Sequence, residues 1–200
     1  MKNVLILGAT GDTGKLIIEQ LKTHSEVKKS VYVRNLEKIQ EEVKRTITVL
    51  KGDILDTDSL KTAMENKDMV VACLNGDLLA QAESIVKAMK GTTLKRIIWL
   101  TGLGIHHEVP GPAGEILDML LNKFPDYAKA ADTIADSGID YTLVRASNLV
   151  DGDNIEYYLT KEGETIREES VTRHAVAKFI VDMIVDDNGF GENESLGITN

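Results

Sequence analysis

The sequence predicts an α/β fold in which a doubly wound parallel sheet carries helices on both faces. Three observations lead there. Short apolar runs such as Val4-Leu5-Ile6-Leu7 and Met69-Val70-Val71-Ala72-Cys73-Leu74 show no polar alternation, the mark of strands buried on both faces. Most runs are followed by a segment of helical period, an alternation that requires crossover helices over a parallel sheet. The third observation is the loop Gly8-Ala9-Thr10-Gly11-Asp12-Thr13-Gly14, which turns the first strand into the first helix.

That loop is a candidate site for a dinucleotide pyrophosphate. Glycine lets a phosphate approach the backbone, and the unpaired N–H groups and positive end of the new helix hold the anion. The spacing is G-x-x-G-x-x-G, one residue longer than the common G-x-G-x-x-G. A nucleoside-triphosphate loop is excluded: five residues rather than four separate Gly8 from Gly14, and Leu16 follows Lys15 where a magnesium-binding hydroxyl is needed.

A helix over residues 15–22 leads to a strand at 30–34, after which Asn35 caps a short helix near 36–42. In a doubly wound sheet the end of the second strand faces the adenine ribose, where an arginine suits a 2'-phosphate, so Arg34 favours NADP over NAD. A third strand at 47–51 ends in Gly52-Asp53, and Asp56 or Thr57 caps a helix to about residue 65. Asp53 either accepts a hydrogen bond from the adenine amine or closes an Asx-turn. Next come a strand at 69–74, a turn at Asn75-Gly76, a helix from Asp77 to about residue 90 and a strand at 95–101. Residues 102–123, with Gly104, Pro110, Gly111, Pro112 and Gly114, read as a mobile flap and a short helix beside the ligand. Pro125 then suits the first turn of a helix ending near Gly138, and 140–145 is the sixth strand.

Residues 146–170 form a polar excursion with Tyr157-Tyr158-Leu159 as its best strand candidate, expected to be a small substrate appendage. A helix over 171–185 buries Val176, Phe179, Ile180, Met183 and Ile184 on one face, and 195–198 adds a last strand. With right-handed crossovers this is a Rossmann-like sheet, and residues 1–200 read as one domain.

Composition narrows the function. A formal charge of -9 and a pI near 5.0 argue against a nucleic-acid surface, whose affinity comes from Lys and Arg. Cys73 is the only cysteine, and no apolar run is long enough to span a bilayer, so a cytoplasmic protein is expected. The carboxylates Asp151, Asp153, Glu162, Glu164, Glu168 and Glu169 show no metal-ligand spacing and read as a solvated acidic face. His106 and His107 lie in the flap and could supply a proton near neutral pH, whereas His24 and His174 read as surface or packing residues.

Taken together, the glycine loop, Arg34, Gly52-Asp53, Thr101-Gly102-Leu103-Gly104, the run Ser137-Gly138-Ile139-Asp140-Tyr141-Thr142-Leu143-Val144-Arg145 and Thr172-Arg173 resemble the atypical short-chain dehydrogenase/reductases of the small NAD(P)H-binding, NmrA-like kind. The resemblance covers nearly the whole chain. It implies that Gly8, Thr10, Gly11, Asp12, Thr13 and Gly14 line the pyrophosphate loop, that Arg34 meets the adenine ribose phosphate and that Asp53 and Ile54 meet the adenine. It also places Leu74, Asn75 and Gly76 beside the riboses, Thr101 in the position of an active-site serine and Lys129 at the nicotinamide ribose.

The sequence departs from the wider superfamily where many members carry Tyr-x-x-x-Lys. Pro125 stands four before Lys129, and Tyr127, two before it, lies about 200° around a helix turning about 100° per residue, so the two should face opposite ways. Ala146 replaces the usual proline after the strand-six arginine. The expected activity is hydride transfer from NADPH, or NADH, to a small flavin- or quinone-like acceptor, with Thr101 and Lys129 positioning and Tyr127 or His106 giving a proton. A non-catalytic NAD(P) sensor acting on a protein partner is the alternative, and a nucleotide-sugar epimerase or dehydratase ranks third. No nucleic acid, membrane or metal is expected.

Overall fold

The computed structural model describes residues 1–166, 170–186 and 189–200. Its main sheet has eight strands: β1 (Lys2–Leu7), β2 (Val27–Val33), β3 (Thr48–Lys51), β4 (Met69–Ala72), β5 (Arg96–Gly102), β6 (Asp140–Ala146), β8 (Tyr158–Thr160) and β10 (Glu194–Thr199). Their order is β3-β2-β1-β4-β5-β6-β10-β8, parallel except for β8, which pairs antiparallel with β10. The expected α/β architecture is the observed one. Two further strands, β7 (Asn148–Val150) and β9 (Ser170–Thr172), pair with each other in parallel beside it.

Alternation along β1 shows why its apolar run has no polar positions. Val4 and Ile6 pack with Ile17, Ile18 and Leu21 and with Phe179 and Ile180; Leu5 and Leu7 pack on the other face with Leu60, Met64, Ile85 and Met89. Consecutive strand residues point to opposite faces, and both faces here are covered. Helices α1 (Asp12–Gln20) and α7 (Arg173–Asp186) cover the first face, and α3 (Thr57–Met64), α4 (Leu78–Lys90) and α6 (Asp126–Ala135) the second. Two further helices are α2 (Glu41–Lys44) and α5 (Gly111–Leu121).

Local chemistry sets the boundaries. Asp56 and Asp77 accept from Ser59 N and Ala80 N at 3.2 Å, which caps α3 and α4. Asn35 accepts from Glu37 N at 2.9 Å, but the helix it starts is a single 3-10 turn at Leu36–Lys38, with α2 separate from it. The first helix begins at Asp12 rather than residue 15, because Gly11 is its N-cap. The last begins at Arg173 rather than residue 171, because residues 170–172 are spent on β9. Within residues 102–123, α5 runs eleven residues with Gly114 as its buried position. Among the described residues no helix is long and apolar enough to cross a membrane.

Candidate functional site

The C-terminal ends of the parallel strands form a continuous cleft. Gly8, at the end of β1, has φ +82°, and a Cβ there would stand 1.9 Å from the Cys73 carbonyl oxygen, so only glycine fits. Gly14 sits against the same turn: its Cβ would lie 2.3 Å from Gly8 O, so glycine lets α1 approach the strand closely. Gly11 has ordinary backbone angles at the helix N-cap, its amide donates to Gly8 O at 3.0 Å, and a Cβ would meet that oxygen at 3.3 Å. Gly11 is therefore a space requirement, while Gly8 is a conformational one.

Two cavities meet at this loop and share Gly11, Cys73, Leu74 and Asn75 in their walls. The first, about 530 Å³, lies over the ends of β1, β2 and β3 and includes Gly8, Thr10, Arg34, Asn35, Lys38, Asp53 and Ile54. The second, about 410 Å³, runs on past Asp12, Thr13 and Gly14 to Thr101, Tyr127, Ser147 and Arg173. Together they give an elongated track from β3 to β6, the shape an extended dinucleotide needs. The walls suit such a group on two grounds. Near the loop a Cβ would take up the space at Gly11; at the far end the Oγ atoms of Thr101 and Ser147 have no hydrogen-bond partner among the described residues, although both residues are buried. Buried hydroxyls are seldom left unpaired, so these two atoms are suited to a ligand with polar edges.

Cation placement differs between the halves. Arg34 and Lys38 both border the first cavity, four residues apart across the 3-10 turn that Asn35 caps. Asp12 borders the second but is largely exposed and lies 3.9 Å from Lys15. Asp53 makes the Asx-turn contact, its Oδ1 accepting from Leu55 N at 3.0 Å, and it also borders the first cavity. Burial pushes the Cys73 thiol up to about 12, which keeps it protonated.

Three of the expected site residues lie elsewhere. Lys129 is outside both cavities, exposed and 4.0 Å from Asp126, because the helix turn between it and Tyr127 sends the two side chains apart. Gly76 has φ +91° and serves the turn into α4 without bordering the cleft. His106 is a bridge: Nδ1 is 2.9 Å from Glu162 and Nε2 is 2.9 Å from Asp132, so both ring nitrogens are engaged and it does not border the cleft. Glu162 stays exposed, as expected, while also pairing with His106, and Asp151 pairs with Arg173 at 2.7 Å; Glu168 and Glu169 lie outside the described residues.

The loop after β5 is anchored by buried charge. Glu108 accepts from the amides of Gly104 at 2.8 Å and His106 at 3.0 Å, and its carboxylate meets the Arg145 guanidinium, whose Nε donates to Ser195 Oγ at 2.8 Å. Burial alone would lower the His106 pKa, but hydrogen bonds and charge from Glu162 and Asp132 outweigh it and the net shift is upward. Burial alone would raise Glu162, yet His106, Ser195 and Arg145 bring it below its ordinary value. The histidine's contribution is complete below its unfolded pKa of about 6.5 and fades as pH rises through the folded value. The Glu162 contribution is present above its unfolded value of about 4.3 and fades as pH falls through the lowered one. Urea unfolding of His106→Gln against the wild type should show its largest difference between these limits and a shrinking one toward alkaline pH. A difference independent of pH would show that the imidazole acts by packing alone.

Lys38, Ser147 and Arg173 were missed as site residues by sequence reasoning. Lys38 was discoverable, being one short turn beyond Arg34. Ser147 carries no such signal, since only the folded cavity shows its hydroxyl unpaired.

Comparison with known proteins adds a family. The NAD(P)H-binding family profile matches residues 8–187. A Rossmann-fold NAD(P)-binding family protein from Shigella flexneri is 36% identical and superposes with a TM-score of 0.85, covering 100% of this chain and 94% of that one. A short-chain dehydrogenase/reductase from Veillonella parvula, solved in complex with NADP, is 25% identical, with a TM-score of 0.87 and coverage of 100% and 94%. An uncharacterized chloroplastic protein of Arabidopsis thaliana is 24% identical over 93% of this chain and 73% of its own length.

Proposed function

Because the chain belongs to the NAD(P)H-binding family, we propose that it is an oxidoreductase, reducing a small planar or conjugated acceptor of flavin or quinone type with a dihydronicotinamide held along the cleft. The observation that carries this reading is the pair of unpaired buried hydroxyls, Thr101 and Ser147, at the far end of a track that begins at a glycine loop. When bound, the cofactor supplies the hydride. The chain's own residues do the rest. Amides of the glycine loop and the start of α1 face the pyrophosphate, and Leu74 and Asn75 border the middle of the track. Thr101 offers a hydrogen bond to the nicotinamide amide or the acceptor. Tyr127 is the phenol on the second cavity's wall and holds the proton for the reduced acceptor.

NADPH oxidation with menadione or FMN tests the proposal, and Tyr127→Phe should lower its rate about a hundredfold, the lower end of general acid catalysis, with NADPH affinity unchanged. A fall of less than about tenfold would hand the proton to solvent.

NADP is the proposed form of the cofactor. Arg34 and Lys38 together give a 2'-phosphate two cations, and a charge-assisted contact contributes about 1.5 to 3 kcal/mol. Arg34→Ala should cost NADPH that much and leave NADH nearly untouched, as read by fluorescence titration. Equal losses would make Arg34 a surface residue.

The second reading, an NAD(P) sensor with a protein partner, is favoured by one observation: Tyr127 has no lysine beside it in the cavity. Bound NADPH that no acceptor oxidises would select it. A cytoplasmic setting belongs to the leading proposal, in keeping with an acidic chain of one cysteine.

A further inference from the structure

We propose that the acceptor carries a carboxylate and that Arg173 is the residue that selects it, an inference that rests on the hydride-transfer reading. The second cavity extends beyond the glycine loop to the end of β6, where Ser147, Asn148 and Leu149 form its wall together with Arg173 at the start of α7. In the sheet order β6 is three strands from β1, roughly 14 Å at about 4.8 Å per strand, which puts this wall on the acceptor's side of the track.

Three observations converge there. Ser147 is 8% and Thr101 7% exposed, and the Oγ of each lacks a partner among the described residues, so both hydroxyls are set for a carbonyl edge. Arg173, whose side chain ends in a guanidinium, borders the same cavity. That guanidinium already holds a carboxylate: its NH1 is 2.7 Å from Asp151 Oδ1, and the Asp151 side chain is 94% exposed. An ion pair with a partner so open to water adds little to stability and exchanges readily. Asp151 is therefore a stand-in, displaced when a ligand carboxylate takes the guanidinium with the cavity closed around it. The other charged group on the cavity wall, Asp12, lies by the glycine loop beside Lys15. A planar acceptor with a carbonyl facing Ser147 and Thr101 and a carboxylate facing Arg173 pairs the two hydroxyls and takes the guanidinium over from Asp151.

The test uses a matched pair of probes, anthraquinone-2-carboxylate and anthraquinone-2-carboxamide, titrated calorimetrically into the full chain saturated with NADP. The carboxylate should bind at least about tenfold more tightly than the carboxamide, the effect of one charge-assisted contact. In Arg173→Ala the ratio should fall to within about twofold of unity. Asp151→Asn decides whether Arg173 acts on the ligand or only on its own loop: the stand-in reading expects the ratio to hold or widen, whereas a loop-fixing role expects the collapse seen in Arg173→Ala. A wild-type ratio near one, a ratio that survives Arg173→Ala, or an Asp151→Asn that mimics Arg173→Ala would each overturn the proposal. Menadione, which is neutral, is assayed alongside: its reduction by NADPH tests hydride transfer separately from the binding ratio.

Discussion

Replacing Gly11 by valine is expected to reduce NADPH affinity by on the order of a hundredfold or more, about 2.7 kcal/mol, while the protein stays folded. The separation of binding from folding comes from the loop. Gly8 could not take a side chain without striking the Cys73 carbonyl, and Gly14 could not without striking the loop backbone, so substitutions there would damage the fold itself. Gly11 has φ -76° and only the Gly8 carbonyl near its Cβ position, at 3.3 Å. Its added methyls would enter the space shared by the two cavities, where the pyrophosphate is to lie against the backbone. Fluorescence titration beside a circular-dichroism melt separates the two effects. Unchanged affinity in a folded Gly11→Val protein would remove the dinucleotide site from the glycine loop.

The largest loss of stability is expected from Glu108→Ala. The Arg145 side chain is 1% exposed and that of Glu108 5%, and removing one partner of such a pair leaves a buried charge, at a cost of about 3 to 5 kcal/mol. Two backbone amides, of Gly104 and His106, lose their acceptor in the same change. Urea unfolding should show a lower midpoint with an unchanged slope. Combining Glu108→Leu with Arg145→Met should recover part of the loss, because an apolar pair carries no desolvation cost. A single-mutant loss below about 1 kcal/mol would show that Glu162, 3.7 Å from the guanidinium, takes over the charge.

What the sequence made legible follows from how far each signal reaches along the chain. β1, β4 and β5 were readable because burial on both faces leaves an apolar run that local composition cannot hide. Asp56, one of two cap candidates with Thr57, and the helix start at Asp77 were readable because the capping partners are three residues away. β7 and β9 were not, since three residues give no period, and their pairing joins Asn148 to Ser170 across the polar excursion. The glycine loop, Arg34 and Asp53, which border the cleft, could be picked out because the backbone and charge requirements of a dinucleotide are local. The placement of His106 was not: its partners come from Asp132 on α6 and Glu162 beyond β8, distances in sequence that no motif spans. Arg145 stood out as a marker, yet its countercharge Glu108, 37 residues earlier in a loop, gave no sign of the pairing.

The sheet's two margins bear on how the molecule behaves in a crowd. It is bounded by β3, four residues long, and by β8, three residues long and reversed in direction. A sheet's open border is a template for any strand that drifts past, and the border's length sets how many backbone hydrogen bonds a stranger can form. Four residues on one side, with Lys51 exposed at the end, and three on the other offer too short a ladder to hold one. The long, flat, apolar strands that would recruit other chains are all interior. Protection against fibre-like association is thus built into the order in which the strands are laid down.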